Sequence, residues 1–273
     1  MIQKYKQRLW VALGCLFLAT LSSSALANQL RDELLKAADI KSSGDYVRTR
    51  FLKAIKNPVN PKASKKALII GDSHAQDFFN SVVENNFLQD YQISTRSIPT
   101  RCQVYLGDNH SKFIASKDEV FCEKSDNLEK AKHKIAEVDL VILVANWTKW
   151  SATELPKTIE NMQLTDKQKL LVIGRKSFGK VAVRKYLRLP EEKLQTLRNK
   201  PDVKQNKINS IMRNTLSKDV LIDLQQLACG ATATCPVFTK DLKLISFDGG
   251  HLTKNGAQYI GELLFENSQL GSL

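Results

Sequence analysis

The run Ala67-Leu68-Ile69-Ile70 halts at Gly71-Asp72-Ser73, and this junction constrains the architecture more than any other stretch. Four consecutive apolar residues stopped by a glycine read as a strand buried on both faces. A helix-compatible segment, Ala75 to Leu88, follows. Strand, tight turn and helix in that order place the Ser73 hydroxyl at the carboxyl end of a parallel strand. Open α/β sheets bind their ligands at that end. The first N–H groups of the helix lack intrahelical partners and favour negative charge beside them. The turn therefore offers a nucleophile with an oxyanion donor attached.

The rest of the chain repeats the alternation. Tyr91 to Ile98 is a second candidate strand, followed by the turn Pro99-Thr100-Arg101-Cys102. Asp139 to Ala145 is a near-continuous apolar strand ending at Asn146-Trp147, and Lys169 to Gly174 is another. Val220 to Leu224 is a last short strand. Helices are expected over Asn127–Val138, Glu154–Met162, Lys207–Leu216 and Asn255–Glu266. Strands alternating with helices imply βαβ units, hence an α/β fold with a mostly parallel central sheet. Residues 176–204 are basic and show no period; a lid, an acceptor-binding insertion and a mobile loop are the open readings.

The first residues read as an export signal. Lys4, Lys6 and Arg8 precede the apolar run Leu9–Leu21, and Ala25-Leu26-Ala27 is a small-x-small cleavage site. Cleavage after Ala27 is expected, with a periplasmic or secreted product. The domain plan is a signal peptide over 1–27, a helical amino-terminal extension over 28–66 and a catalytic domain over 67–273. In the extension, Leu30, Leu34, Leu35 and Ala38 lie near helical spacing up to about Lys56, where Asn57-Pro58 breaks the pattern.

Removing residues 1–27 lowers the formal charge from +13 to +10, because three basic residues and no acidic one leave. A basic surface favours acidic partners such as anionic glycans or lipid headgroups, so peripheral membrane contact stays open. Nucleic acid is disfavoured by the export signal and by the lack of a binding motif. Cys15 departs with the signal, leaving Cys102, Cys122, Cys229 and Cys235 in an oxidising compartment. Of three possible pairings, Cys102–Cys122 and Cys229–Cys235 are preferred, each closing a short loop beside a candidate site element. No Cys-x-x-Cys and no nearby His pair support a metal. No metal and no cofactor are expected.

A serine hydroxyl needs a base to become a nucleophile. His251, in Asp248-Gly249-Gly250-His251, is the candidate, with Asp248 orienting its imidazole. The backbone N–H of Ser73 and the side-chain amide of Asn146 are candidate oxyanion donors. Singly, each motif is commoner as a turn or a strand cap. Their order along the chain and their places at strand ends favour catalysis together.

Gly71-Asp72-Ser73-His74, Asn146 and Asp248-x-x-His251 resemble the conserved blocks of the SGNH (GDSL-like) hydrolase superfamily. More narrowly, Gly-Asp-Ser-His-Ala, Ala145-Asn146-Trp147, Asp223 before Cys229 and Cys235, and His251-Leu252-Thr253-x-x-Gly256-Ala257 resemble the extracytoplasmic SGNH domains of polysaccharide and lipopolysaccharide O-acetyltransferases. The resemblance spans roughly residues 64–268 and implies a flavodoxin-like three-layer α/β/α fold. It implies Ser73 as nucleophile and first oxyanion donor, Asn146 as a further donor, and Asp248 with His251 as the base pair. The glycine that the family places after its second strand is missing; Gly107 lies beyond Cys102, and backbone near Thr100 or Arg101 is the alternative donor.

Related acetyltransferases join this domain to a membrane acyltransferase, so a separate membrane partner is implied as acetyl donor, with a polysaccharide or glycolipid as acceptor. An exported O-acetyltransferase is the leading expectation. An acetyl esterase with the same triad is the alternative, and a non-catalytic glycan-binding protein on the same scaffold is the third. His74, Arg101, Trp147, Trp150 and Arg175 are candidates to line an acceptor groove, but packing or surface is the preferred reading and they stay outside the catalytic set.

Overall fold

The apolar runs pair side by side in the computed structural model, which describes residues 30–108, 110–230 and 232–273. The expected signal segment, 1–27, lies outside the described residues. The strands are β1 Lys65–Gly71, β2 Tyr91–Ser97, β3 Leu140–Val144, β4 Lys169–Ile173, β5 Arg198–Asn199, β6 Leu221–Ile222 and β7 Cys235–Pro236. Five of them form an all-parallel sheet in the order β2-β1-β3-β4-β6, and β5 pairs antiparallel with β7. The main sheet has the flavodoxin-like order, with its topological switch point between β1 and β3. The expected α/β architecture is thus the observed one.

Successive strand residues face opposite sides, and both sides are covered. Ala67, Ile69, Leu140 and Ile142 pack with Phe51, Phe79, Ile260 and Leu264 on one face. Leu68, Ile70, Val141 and Leu143 pack with Leu128, Ile135, Leu155 and Met212 on the other. Burying each of the larger side chains among these contributes roughly 1.5–3 kcal/mol relative to exposure. This two-sided burial explains why the strands read as unbroken apolar runs rather than alternating ones.

Residues 30–54, within the expected amino-terminal extension, form two helices. The first covers residues 30–37 of the described chain, and the second is Ile40–Ala54. Asp39 divides them because its carboxylate accepts from Ser42 N at 2.7 Å and caps the second helix. Phe51 and Ala54 enter the main core, and Asn80 Nδ2 donates to the Val47 carbonyl at 3.0 Å.

Residues 176–204 are not an open loop. Two short helices, Val183–Tyr186 and Glu191–Gln195, lead into β5. Tyr186 and Leu194 join Leu34, Val237, Phe238 and Leu244 in a third apolar cluster. The segment is thereby sandwiched between the amino-terminal helix and the chain after Cys235. Both expected disulfides, Cys102–Cys122 and Cys229–Cys235, are present. No helix among the described residues is long and apolar enough to cross a membrane.

Candidate active site

Gly71 closes β1 where no other residue fits. A Cβ there would lie 1.6 Å from the Val144 carbonyl oxygen on the neighbouring strand. The chain then turns directly into the helix Ser73–Glu84, whose first residue is Ser73 and whose cap is Asp72. Ser73 is half-buried, and its Oγ lies 2.8 Å from His251 Nε2. His251 Nδ1 in turn lies 2.7 Å from Asp248 Oδ2.

The turn carrying His251 is bound to itself. Asp248 Oδ1 accepts from the backbone N–H groups of Gly250 at 2.8 Å and His251 at 2.7 Å. Ser246 Oγ donates to the His251 carbonyl at 2.6 Å and accepts from Gly249 N at 2.8 Å. Gly249 has φ +93°, and a Cβ on it would lie 1.9 Å from the Gly179 carbonyl oxygen. Phe178 N donates to the Gly249 carbonyl at 2.7 Å, so the segment after β4 clamps the turn. The Phe247 ring lies nearly parallel to the His251 imidazole, 5.8 Å between centroids.

The charges follow from these contacts. Burial works against the Asp248 carboxylate, but hydrogen bonds from the His251 ring and backbone and from Gly250 outweigh it and hold its pKa at about 2. Burial likewise works against a charged His251. The Asp248 hydrogen bond and the Asp77 charge prevail, and its pKa stands above the ordinary 6.5. His74, 6.0 Å from the His251 ring, is buried and stays neutral, its pKa pushed well below 6.5.

Asp72 is the least expected participant. Its buried carboxylate accepts from His74 N at 2.9 Å, from Asn146 N at 3.0 Å and from Thr100 Oγ1 at 2.7 Å. One side chain thus ties together the loops that follow β1, β2 and β3. Desolvation raises its pKa, opposed by those same three donors. Gln103 adds a second tie, accepting from Thr148 N and Ser151 Oγ and donating to the carbonyls of Thr100 and Asn146.

Asn146 is thereby fixed through its backbone. Its side-chain amide makes no hydrogen bond among the described residues, and its Oδ1 is buried without a partner. A side-chain amide carried on a backbone fixed at the end of β3, with its N–H groups unclaimed among the described residues, can donate to a developing oxyanion. Trp147 is fully buried and anchors the loop by donating from Nε1 to the Ile173 carbonyl at 2.9 Å. Arg175 Nη1 donates to the Trp147 carbonyl at 3.2 Å. Gly107 sits instead against Tyr105 and Asn161.

Beneath the His251 turn lies a buried ion pair that no sequence pattern announces. Lys176 Nζ is 2.6 Å from Asp77 Oδ2, with both side chains at 2% exposure or less. Among the described residues, no group of His, Cys, Asp and Glu is arranged to hold a metal ion. The arrangement as a whole can accept a proton from Ser73, carry it on His251 and stabilise the resulting imidazolium through Asp248.

A family model described as "SGNH domain (fused to AT3 domains)" matches residues 37–266. The match begins inside the amino-terminal extension, before the stretch where sequence motifs alone carry the resemblance. No curated protein matches the chain.

Proposed function

Because the chain belongs to the family of SGNH domains fused to AT3 domains, we propose that it is an exported O-acetyltransferase acting on a cell-envelope or secreted polysaccharide or glycolipid. The family supports acyl transfer or hydrolysis in general. The observation that carries acyl-serine chemistry is the continuous contact from Ser73 Oγ through His251 to Asp248, at 2.8 and 2.7 Å; the association with AT3 domains favours transfer over hydrolysis.

In this reading Ser73 Oγ attacks the carbonyl carbon of an acetyl donor as His251 Nε2 takes the hydroxyl proton. The Ser73 N–H and the Asn146 amide hold the oxyanion. The donor's leaving oxygen or sulfur departs with the proton returned by His251, leaving acetyl-Ser73. A sugar hydroxyl then attacks, gives its proton to His251 and leaves as the acetyl ester, while Ser73 regains its hydrogen. The association with AT3 domains supports a membrane acyltransferase as the acetyl donor. Two disulfides support an extracytoplasmic setting, in keeping with residues 1–27 as a cleaved signal. We assign residues 28–66 to a helical extension and 67–273 to the catalytic domain.

The test supplies the purified chain with an activated acetyl ester, with and without oligosaccharide acceptors. Acetylated sugar by mass spectrometry is the expected product. Free acetate alone, whatever acceptor is added, refutes transfer. An acetyl esterase is the second reading, favoured by the openness of the pair: His251 and Asp248 side chains are 29% and 35% exposed, which leaves water access to an acyl-enzyme. Unchanged turnover in Ser73→Ala would remove the serine from the chemistry, and glycan binding by the unaltered chain without any turnover would favour a glycan-binding scaffold instead.

A further inference from the structure

We propose that the Lys176–Asp77 ion pair is a positioning device for His251, holding the peptide units on both sides of it. The inference rests on His251 acting as the base of the proposed reaction. Lys176 Nζ donates to the Gly250 carbonyl at 2.6 Å, immediately before His251. Asp77 Oδ1 accepts from Leu252 N at 3.1 Å, immediately after it. The two ends of the pair therefore grip the chain one residue to either side of the imidazole.

The origins of the partners make the grip informative about mechanism. Asp77 lies one helical turn beyond Ser73, on the same helix. Lys176 follows β4, and the His251 turn belongs to the last quarter of the chain. The pair thus references the base to the same helix that carries the nucleophile. Two charges taken out of water are costly unless their geometry and remaining hydrogen bonds are satisfied. Here each partner spends its extra hydrogen-bonding capacity on the His251 turn.

Four charged or titratable groups face the His251 ring: Asp248 from its own turn, Asp77 from the helix Ser73–Glu84, Lys176 from the segment after β4, and His74, which is neutral. Asp77 favours the imidazolium and Lys176 opposes it. Removing the Asp77 charge by Asp77→Asn keeps an oxygen for Leu252 N but leaves Lys176 uncompensated, so the imidazole becomes harder to protonate.

The test uses hydrolysis of 4-nitrophenyl acetate by the purified chain across pH. Ser73→Ala is run first; if it retains wild-type turnover, the proposed reaction fails, and the ion pair is then irrelevant to it. With Ser73 established, Asp77→Asn is expected to move the acid limb of kcat/KM down by roughly half a pH unit. Lys176→Met is expected to lower kcat about 10²-fold with KM little changed, the scale of a misplaced catalytic group. Lys176→Arg is expected to restore most of it, because a guanidinium can still pair with Asp77 and donate to Gly250. A part that merely supports the fold would change melting temperature without moving the pH limb. An unmoved limb in folded Asp77→Asn, or Lys176→Met at wild-type kcat, overturns the proposal. If the variants do not fold, hydrogen exchange on the unaltered chain decides. The Leu252 amide, bonded to the buried Asp77 carboxylate, should be protected to the level of the central-strand amides, and exchange near the rate of an unprotected amide overturns the proposal.

Discussion

Asp248→Asn replaces one atom of the carboxylate and presents the His251 turn with an impossible choice. The carboxylate accepts three hydrogen bonds, one from the His251 ring and two from backbone N–H groups. An asparagine whose oxygen keeps the backbone pair turns its NH₂ toward Nδ1. The ring must then carry its proton on Nε2, the atom that should receive the Ser73 proton. Inverting the tautomer in this way costs about 10⁴-fold in kcat in serine triads, or about 5.5 kcal/mol of barrier. The flipped amide keeps the ring correct but faces two backbone N–H donors with its own NH₂, at about 1–3 kcal/mol each. The cheaper conformer prevails, so kcat should fall about 30- to 10⁴-fold, or about 2–5.5 kcal/mol. Hydrolysis of an activated acetyl ester measures it, with KM expected to stay within about twofold because Asp248 touches the base, not the substrate. A folded Asp248→Asn protein keeping a tenth or more of wild-type kcat would refute the orienting role. The variant should also lose a share of acid sensitivity. The Asp248 pKa is held near 2 in the fold, so its stabilisation is complete above pH 4 and is lost as pH falls toward 2. Because the side chain is about a third exposed, that share is at most about 1 kcal/mol.

Three further outcomes follow from the same geometry. His251 must be neutral to accept a proton and its pKa is raised, so kcat/KM should rise with pH through a limb centred above 6.5, while the stability gained from charged His251 is present below 6.5 and lost as pH climbs through that limb; a profile flat from pH 5 to 8 excludes it as base. Asn146→Ala should lower kcat by about 10²–10³ with the melting temperature nearly unchanged, since the fold uses its backbone and not its amide; a loss under threefold removes it from the oxyanion site. Reducing the disulfides, which span 20 and 6 residues, should cost about 3 and about 2 kcal/mol from loop closure, read from urea midpoints of the Cys102→Ala/Cys122→Ala and Cys229→Ala/Cys235→Ala variants; a larger effect from the shorter loop contradicts the loop-closure account.

The strands were legible because both faces of the sheet are covered, which leaves Ala67–Ile70, Leu140–Val144 and Leu170–Ile173 uninterrupted by polar residues. Ser73, Asn146 and the Asp248–His251 turn were legible because each stands where such a run ends or in a motif of fixed spacing. What escaped was long-range polar pairing. Asp72 reads as a turn residue, and its partners Thr100 and Asn146 lie 28 and 74 residues away. Lys176 and Asp77 are 99 residues apart, and neither belongs to a pattern. The 176–204 segment was unreadable for a different reason. Its buried apolar residues are Phe178, in a stretch without regular structure, and Tyr186 and Leu194, in two separate short helices, too sparse to make a period. The break at Asp39 was missed because apolar spacing continues across it, while a cap acts through one hydrogen bond.

The Asp72 tie has a bearing on how such enzymes diversify. One carboxylate sets the relation between the nucleophile's turn, the Thr100 loop and the Asn146 loop. In the proposed reaction the chemical step would therefore depend on one junction shared by three loops. In the proposed reaction, substitutions on the outward rims of those loops would change which acceptor is admitted while leaving the reaction centre in register. A change at Asp72 would do the reverse, slowing every acyl donor and every acceptor by a common factor and leaving the ratios between them untouched.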